Sequence, residues 1–172
     1  MCLQEKLSRV NVGRKKGVKG LSELVFPKKL MIATDGSKHS LDAAKKAAQI
    51  AKTNKSDVII VHVLQPFVHL TTPPGLMEIG GRIDVEKEHE IREWGYKAMD
   101  ATKKIFDDAS VKVNTLFLVG NPAKAIIDEA MKEKVDLIVV GATGHGGMME
   151  WLLGSVAEKI ARNAPFPVLI VR

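Results

Sequence analysis

Residues 136–172 read DLIVVGATGHGGMMEWLLGSVAEKIARNAPFPVLIVR. The stretch opens on an unbroken apolar run, Leu137-Ile138-Val139-Val140, that ends at Gly141. A strand without polar alternation is what a parallel sheet covered by helices on both faces requires. Spaced glycines follow at 141, 144 and 154, then a helical segment over 154–163. Pro165 stops that helix, and Pro167-Val168-Leu169-Ile170-Val171 supplies the next β run. Strand, loop, helix and strand in succession form the repeating unit of an α/β sheet.

The same unit recurs toward the N-terminus. KLMIAT at 29–34 is the first β run, and Ser37 or Ser40 caps a helix whose stripe is Leu41, Ala44, Ala48 and Ala51. VIIVHVL at 58–64 is the second run. Residues 65–82, with Thr71-Thr72-Pro73-Pro74-Gly75, are too broken for strand or helix and read as a surface loop. A charged helix over 84–109 carries Ile91, Trp94, Ala98, Ala101 and Ile105 along one side. Its solvated sides hold the i,i+4 pairs Glu88–Arg92, Glu93–Lys97 and Asp100–Lys104. Residues 112–118 are the third strand, and Asn121 caps a helix with Pro122 in its first turn. Five β runs separated by four helices predict one α/β domain with a doubly wound parallel sheet. Ligands of such sheets bind outside the carboxyl ends of the strands where the order reverses. Two of those ends carry distinctive chemistry: Thr34-Asp35-Gly36-Ser37 and Gly141-Ala142-Thr143-Gly144.

Charge divides the chain. The net charge is +6, and residues 1–29 account for all of it, with eight basic groups against Glu5 and Glu23. The remaining residues balance 18 basic against 18 acidic side chains, so the basicity is concentrated at the N-terminus: the extension over 1–27 carries a net +4, and Lys28 and Lys29 open the domain over 28–172 with the other two charges. That weakens a nucleic-acid reading of the domain itself, and for the extension a solvated tail is the leading expectation, ahead of a contact with nucleic acid or an acidic surface. Its apolar residues are interrupted by Gly13, Gly17 and Gly20, unlike a secretory signal. No apolar stretch is long enough to span a bilayer. With one cysteine, Cys2, no intrachain disulfide is possible, and a reducing, cytoplasmic setting is expected.

The glycine loop after the fourth strand suits an anion. Glycines let the backbone approach a ligand closely, and successive N–H groups form a concave nest. The last helix adds unpaired N–H groups and a partial positive charge, and Ser155 adds a hydroxyl. It is neither a Walker loop, since no Gly-Lys-Ser/Thr follows, nor a GxGxxG after a first strand. On the glycines alone, a tight strand-to-helix connection fits as well as a phosphate cradle.

The whole pattern is more specific. Gly-x2-Gly-x9-Gly-Ser followed by VAEKIARNAPFPVLIVR closely resembles the nucleotide-binding universal stress protein family. KKLMIATDGSKHS resembles that family's first strand and acidic turn, and VIIVHVLQP its second strand. The resemblance covers residues 28–172. It implies a flavodoxin-like, Rossmann-like fold with strand order 3-2-1-4-5, a homodimer through the C-terminal strand, and bound ATP, or ADP or AMP, with Mg or Mn. Residue by residue it implies that Ala33 and Thr34 line the adenine side and that the backbone of Val63 reads the adenine edge. Asp35 would lie beside the ribose or hold a metal bridging the phosphates. Gly141, Ala142, Gly144, Gly154, Ser155 and Val156 would surround the phosphates. Members often carry a second hydroxyl where this chain has Ala157. His145 sits in the glycine loop, as a phosphate contact or as an exposed loop residue.

Other chemistry is weakly signalled. The five histidines lack metal-ligand spacing, and no Gly-x-Ser-x-Gly elbow supplies a nucleophile. His62, within an apolar strand, reads as a hydrogen-bonded core residue. Residues 148–153 form an apolar loop segment that fits a lid on the core or a dimer surface. No catalytic residue is assigned. The leading expectation is a stress-response module that binds nucleotide. Its alternatives are a slow nucleotide hydrolase or phosphotransferase on the same fold, and a nucleotide-free interaction protein.

Overall fold

The computed structural model describes residues 27–65, 85–145 and 152–172. The chain alternates β1 (Lys29–Ala33), α1 (Lys38–Asn54), β2 (Asp57–Leu64), α2 (Val85–Asp108), β3 (Val113–Val119), α3 (Pro122–Lys132), β4 (Leu137–Gly141), α4 (Ser155–Asn163) and β5 (Val168–Val171). The strands form one parallel sheet in the order β3-β2-β1-β4-β5. The expected class and order are therefore both present. The chain leaves β1 toward β2 and β3, then returns to the other side of β1 with β4. That reversal opens a crevice between the carboxyl ends of β1 and β4.

Alternation along the strands sorts the core into two layers. Leu30, Ile32, Val58, Ile60 and Val139 face α1 and α2. Met31, Ile59, Val61, Ile138 and Val140 face α3 and α4. All ten are essentially buried, each burial contributing about 1.5–3 kcal/mol.

Two helical faces differ from the expected stripes. In α1 the buried positions are Ser40, Ala43, Ala44, Ala47, Ala48 and Ala51, while Leu41 is only half-buried. Small side chains let this helix lie close on the sheet, so alanines outcompete the bulkier leucine for the core face. Its N-cap is Ser37, whose Oγ accepts from the Ser40 N–H at 3.3 Å. In α2 the buried positions are Gly95, Ala98, Met99, Thr102 and Phe106, whereas Trp94 is 42% exposed and Ala101 is exposed. Thr102 is buried because its hydroxyl bonds the Ala98 carbonyl and the Thr34 hydroxyl. Gly95 leaves room for the rings of His62 and Phe117, which a Cβ there would approach to 2.7 Å.

The expected loop over 65–82 and the apolar lid over 148–153 fall largely outside the described residues, as does the basic extension. The last helix starts one residue later than expected, with Gly154 as its N-cap. Among the described residues no helix is long and apolar enough to cross a membrane.

Candidate functional site

The turn after β1 is fixed before any ligand is considered. Thr34 donates its N–H to the Val61 carbonyl at 2.9 Å, and its own carbonyl accepts from Nδ1 of buried His62 at 2.9 Å. Its hydroxyl meets Thr102 Oγ1 at 2.8 Å and Ser40 Oγ at 3.3 Å. Each polar group of Thr34 thus already has a partner, and the residue serves the site as a fixed wall. Gly36 takes φ +78°, which turns the chain into α1. The Asp35 side chain then projects from the strand end and accepts from the Ser37 N–H at 3.0 Å.

Asp35 is held ionised. Burial opposes the charge, but the neighbouring Ser37 hydroxyl, the Ser37 N–H bond and the nearby Ser40 hydroxyl together outweigh it, with a smaller attraction from His145. The net effect lowers its pKa from 3.8. As a carboxylate it accepts hydrogen bonds or ligates a cation.

The second wall is the turn after β4. Ala142 donates its N–H to the Val171 carbonyl and accepts from the Gly154 N–H, both at 2.7 Å. Thr143 bonds His39 Nδ1 at 2.8 Å through its hydroxyl, and its carbonyl accepts from Ser37 Oγ at 3.4 Å. These contacts tie the glycine loop to the start of α1. The glycines act through close approach rather than unusual φ. Among the described residues the positive-φ glycines are Gly36 and Gly120. A Cβ on Gly141 would stand 2.7 Å from the His39 carbonyl carbon and 2.8 Å from the Ser40 nitrogen. A Cβ on Gly144 would collide with the Asp35 carboxylate. Gly154 has slightly more room, a Cβ there standing 3.1 Å from the Ala142 oxygen.

The start of α4 closes the crevice. No side chain caps this helix. Because Gly154 donates to Ala142, the N–H groups left for a ligand at this end begin at Ser155. Between the three walls lies a cavity of about 600 Å³. Of the residues expected at the site, Ala33, Thr34, Asp35, Val63, Gly141, Ala142, Gly144, Gly154, Ser155 and Val156 all line it. His145 stands beside them, with Nδ1 3.5 Å from Asp35 Oδ2. Ala157 also lines the cavity and is buried, so no hydroxyl is offered there.

Several lining residues were not anticipated. Val61 shares a face of β2 with Val63 and pairs in register with Ala33, making a continuous apolar floor. The two-residue period of a strand contained that signal. Pro122 and Ile126 enter from the first turns of α3, and Thr143 from within the glycine loop. Trp94, expected on the core side of α2, instead packs edge-on against His145 with ring centroids 4.7 Å apart. No periodicity announces that contact.

Comparison with known proteins agrees with this architecture. The model of the universal stress protein family matches residues 27–172. The chain is 42% identical over 147 residues to universal stress protein MJ0531 of Methanocaldococcus jannaschii, covering 84% of this chain and 82% of that protein. Among solved structures, universal stress protein UspA from Lactobacillus plantarum superposes with a TM-score of 0.69 at 22% identity, covering 84% of this chain and 97% of that one, which is a likeness of fold. A universal stress protein crystallised in complex with cAMP superposes at 0.60 with 28% identity, over 85% of this chain and 97% of that one. Strand order, paired turns at the crevice and matched residues all lead to one assignment: the chain belongs to the universal stress protein family.

Proposed function

We propose that this protein binds an adenine nucleotide, ATP in the first instance, in the crevice between β1, β4 and the start of α4. The observation that carries the reading is the meeting of three unlike surfaces in one cavity. Ala33, Val61 and Val63 give an apolar floor suited to a base. Asp35 gives an ionised acceptor suited to ribose hydroxyls. Gly144, Ser155 and Val156 give backbone and hydroxyl donors at a helix N-terminus, suited to phosphates. The cAMP complex of a family member supports the same class of ligand.

A divalent cation fits the donor set only together with nucleotide. Asp35 is one carboxylate, and no group of three or more His, Cys, Asp or Glu side chains stands ready to hold a metal among the described residues. Mg or Mn held through one carboxylate and phosphate oxygens matches ordinary usage. Such an ion would neutralise phosphate charge, and Asp35 is the carboxylate that would hold it, as the alternative to its ribose contact.

The protein acts, on this reading, as a cytoplasmic stress-response module whose partners depend on nucleotide state, and as a homodimer joined through β5. Any hydrolysis is slow. Calorimetry with ATP and Mg tests the binding. Gly144→Val should abolish it, because the new side chain displaces the Asp35 carboxylate. Ser155→Ala should weaken it about tenfold, as expected for losing one hydrogen bond to a charged group. Wild-type affinity in the valine variant would overturn the placement. Steady-state turnover far above the background rate would favour the hydrolase reading instead.

A further inference from the structure

His145 and Trp94 form a contact that the proposed site does not use. Trp94 lies on α2 and does not line the cavity, yet its ring meets the His145 ring edge-on at 4.7 Å. His145 in turn brings Nδ1 to 3.5 Å from Asp35 Oδ2. The other carboxylate oxygen, Oδ1, accepts the Ser37 N–H, and Gly144 abuts the group with no side chain of its own. Asp35 thus has the α1 cap on one oxygen and an imidazole, propped by an indole, beside the other, in space that Gly144 leaves free of a side chain. Trp94 is in addition 5.9 Å from His62, the ring that bonds the Thr34 carbonyl one residue before Asp35.

We infer that Trp94 and His145 are positioning residues that hold the Asp35 carboxylate in the orientation that reads the sugar, and so set the preference for ribose over deoxyribose. The inference rests on the nucleotide-binding reading of the site. The physical reason is directional. A carboxylate discriminates a hydroxyl from a hydrogen only when an oxygen lone pair is aimed at it, and an aspartate released on one side rotates about χ2 at little cost. His145 is half-exposed and lies in a loop, so by itself it would not fix anything. Edge-on packing against the Trp94 indole supplies the constraint, of the kind aromatic pairs provide. Trp94 is itself 42% exposed, which makes a purely core role a poor account of a tryptophan at this position.

The test compares ATP with 2′-deoxy-ATP, by calorimetry, in wild type, Trp94→Leu, Trp94→Phe and His145→Ala. Wild type should prefer ATP. Trp94→Leu and His145→Ala should each reduce that preference by about tenfold, the size of one hydrogen bond to a charged group, mostly through weaker ATP binding. Trp94→Phe keeps a ring and should restore most of it. Equal weakening of both nucleotides, with the ratio preserved, would indicate mere packing and overturn the inference. A second readout needs no nucleotide. The ring protons of His145 should be shifted by the Trp94 ring current in NMR spectra of the free protein, and should move to the positions of an exposed histidine in Trp94→Leu. Unmoved His145 resonances would overturn the inference whether or not nucleotide binds. Failure of wild type to bind either nucleotide, with the resonances moving as stated, would instead strike the nucleotide reading and leave the ring contact supported.

Discussion

Glycine illustrates how one residue type does different work at neighbouring positions. Gly141 faces the backbone of His39 and Ser40, so its missing side chain is needed for β4 to close on α1. Gly144 faces the Asp35 carboxylate, so its missing side chain is needed by the site. Gly141→Ala should therefore lower stability by about 1–3 kcal/mol in urea unfolding, the usual cost of overpacking, whereas Gly144→Ala should mainly weaken ATP binding. Reversal of these two phenotypes would contradict the geometry. Asp35 gives a prediction in pH. Its folded-state pKa lies below the unfolded value of 3.8, so the stability it contributes is present above 3.8 and is lost as pH falls through the lower folded value. A carboxyl-carbon NMR titration of the free protein should place its midpoint below 3.8. A midpoint at or above that value would mean that burial outweighs the Ser37 N–H bond and the neighbouring Ser37 and Ser40 hydroxyls.

Element boundaries were legible because the punctuation is local. Ser37 and Asn121 cap helices by bonding N–H groups three residues on, and prolines at 122 and 165 mark a start and a stop. Strands without alternation announced two covered faces. Helix orientation was less legible. In α2 the stripe through Trp94 and Ala101 and the stripe through Gly95, Met99 and Thr102 are adjacent, and apolar content alone favours the first. The second is buried because Gly95 admits His62 and Phe117, and because Thr102 finds a hydroxyl partner in Thr34. Both are facts about the opposing strands, which no pattern within α2 contains. The cavity lining was legible where it sits at strand ends. It was not legible where it depends on packing, as with Trp94. Gly95 offers a test at this scale. Within a helix, Gly→Ala ordinarily stabilises by about 1 kcal/mol. Here the added methyl meets two ring edges, so Gly95→Ala should instead destabilise, read as a lower urea midpoint with an unchanged slope. A gain in stability would show that α2 can lift off the sheet without penalty.

At the scale of the whole molecule, the sheet ends in two edges, β3 and β5, and the proposed homodimer runs through β5. Val168, Leu169, Ile170 and Val171 are all half-buried, and the paired neighbour of β5 among the described strands is β4 alone. The ladder to β4 is specific about which residues it uses. The Ile138 N–H donates to the Pro167 carbonyl at 3.1 Å, and the Ala142 N–H to the Val171 carbonyl at 2.7 Å. Residues 167, 169 and 171 therefore turn their backbone groups inward, and by strand alternation Val168 and Ile170 turn theirs outward. An apolar edge with outward donors and acceptors is a template for pairing, and the proposed homodimer satisfies it. The alternation makes the prediction selective. Ile170→Pro removes an outward N–H and leaves the ladder to β4 intact, so it should shift the protein toward monomer in sedimentation while the unfolding transition remains cooperative. Leu169→Pro removes an inward donor and should lower stability itself, by about 3 kcal/mol or more if it behaves as proline does within regular structure. A wild-type protein that sediments as monomer at micromolar concentration would count against the dimer. So would an Ile170→Pro variant that remains dimeric, since pairing would then have to run through some other face.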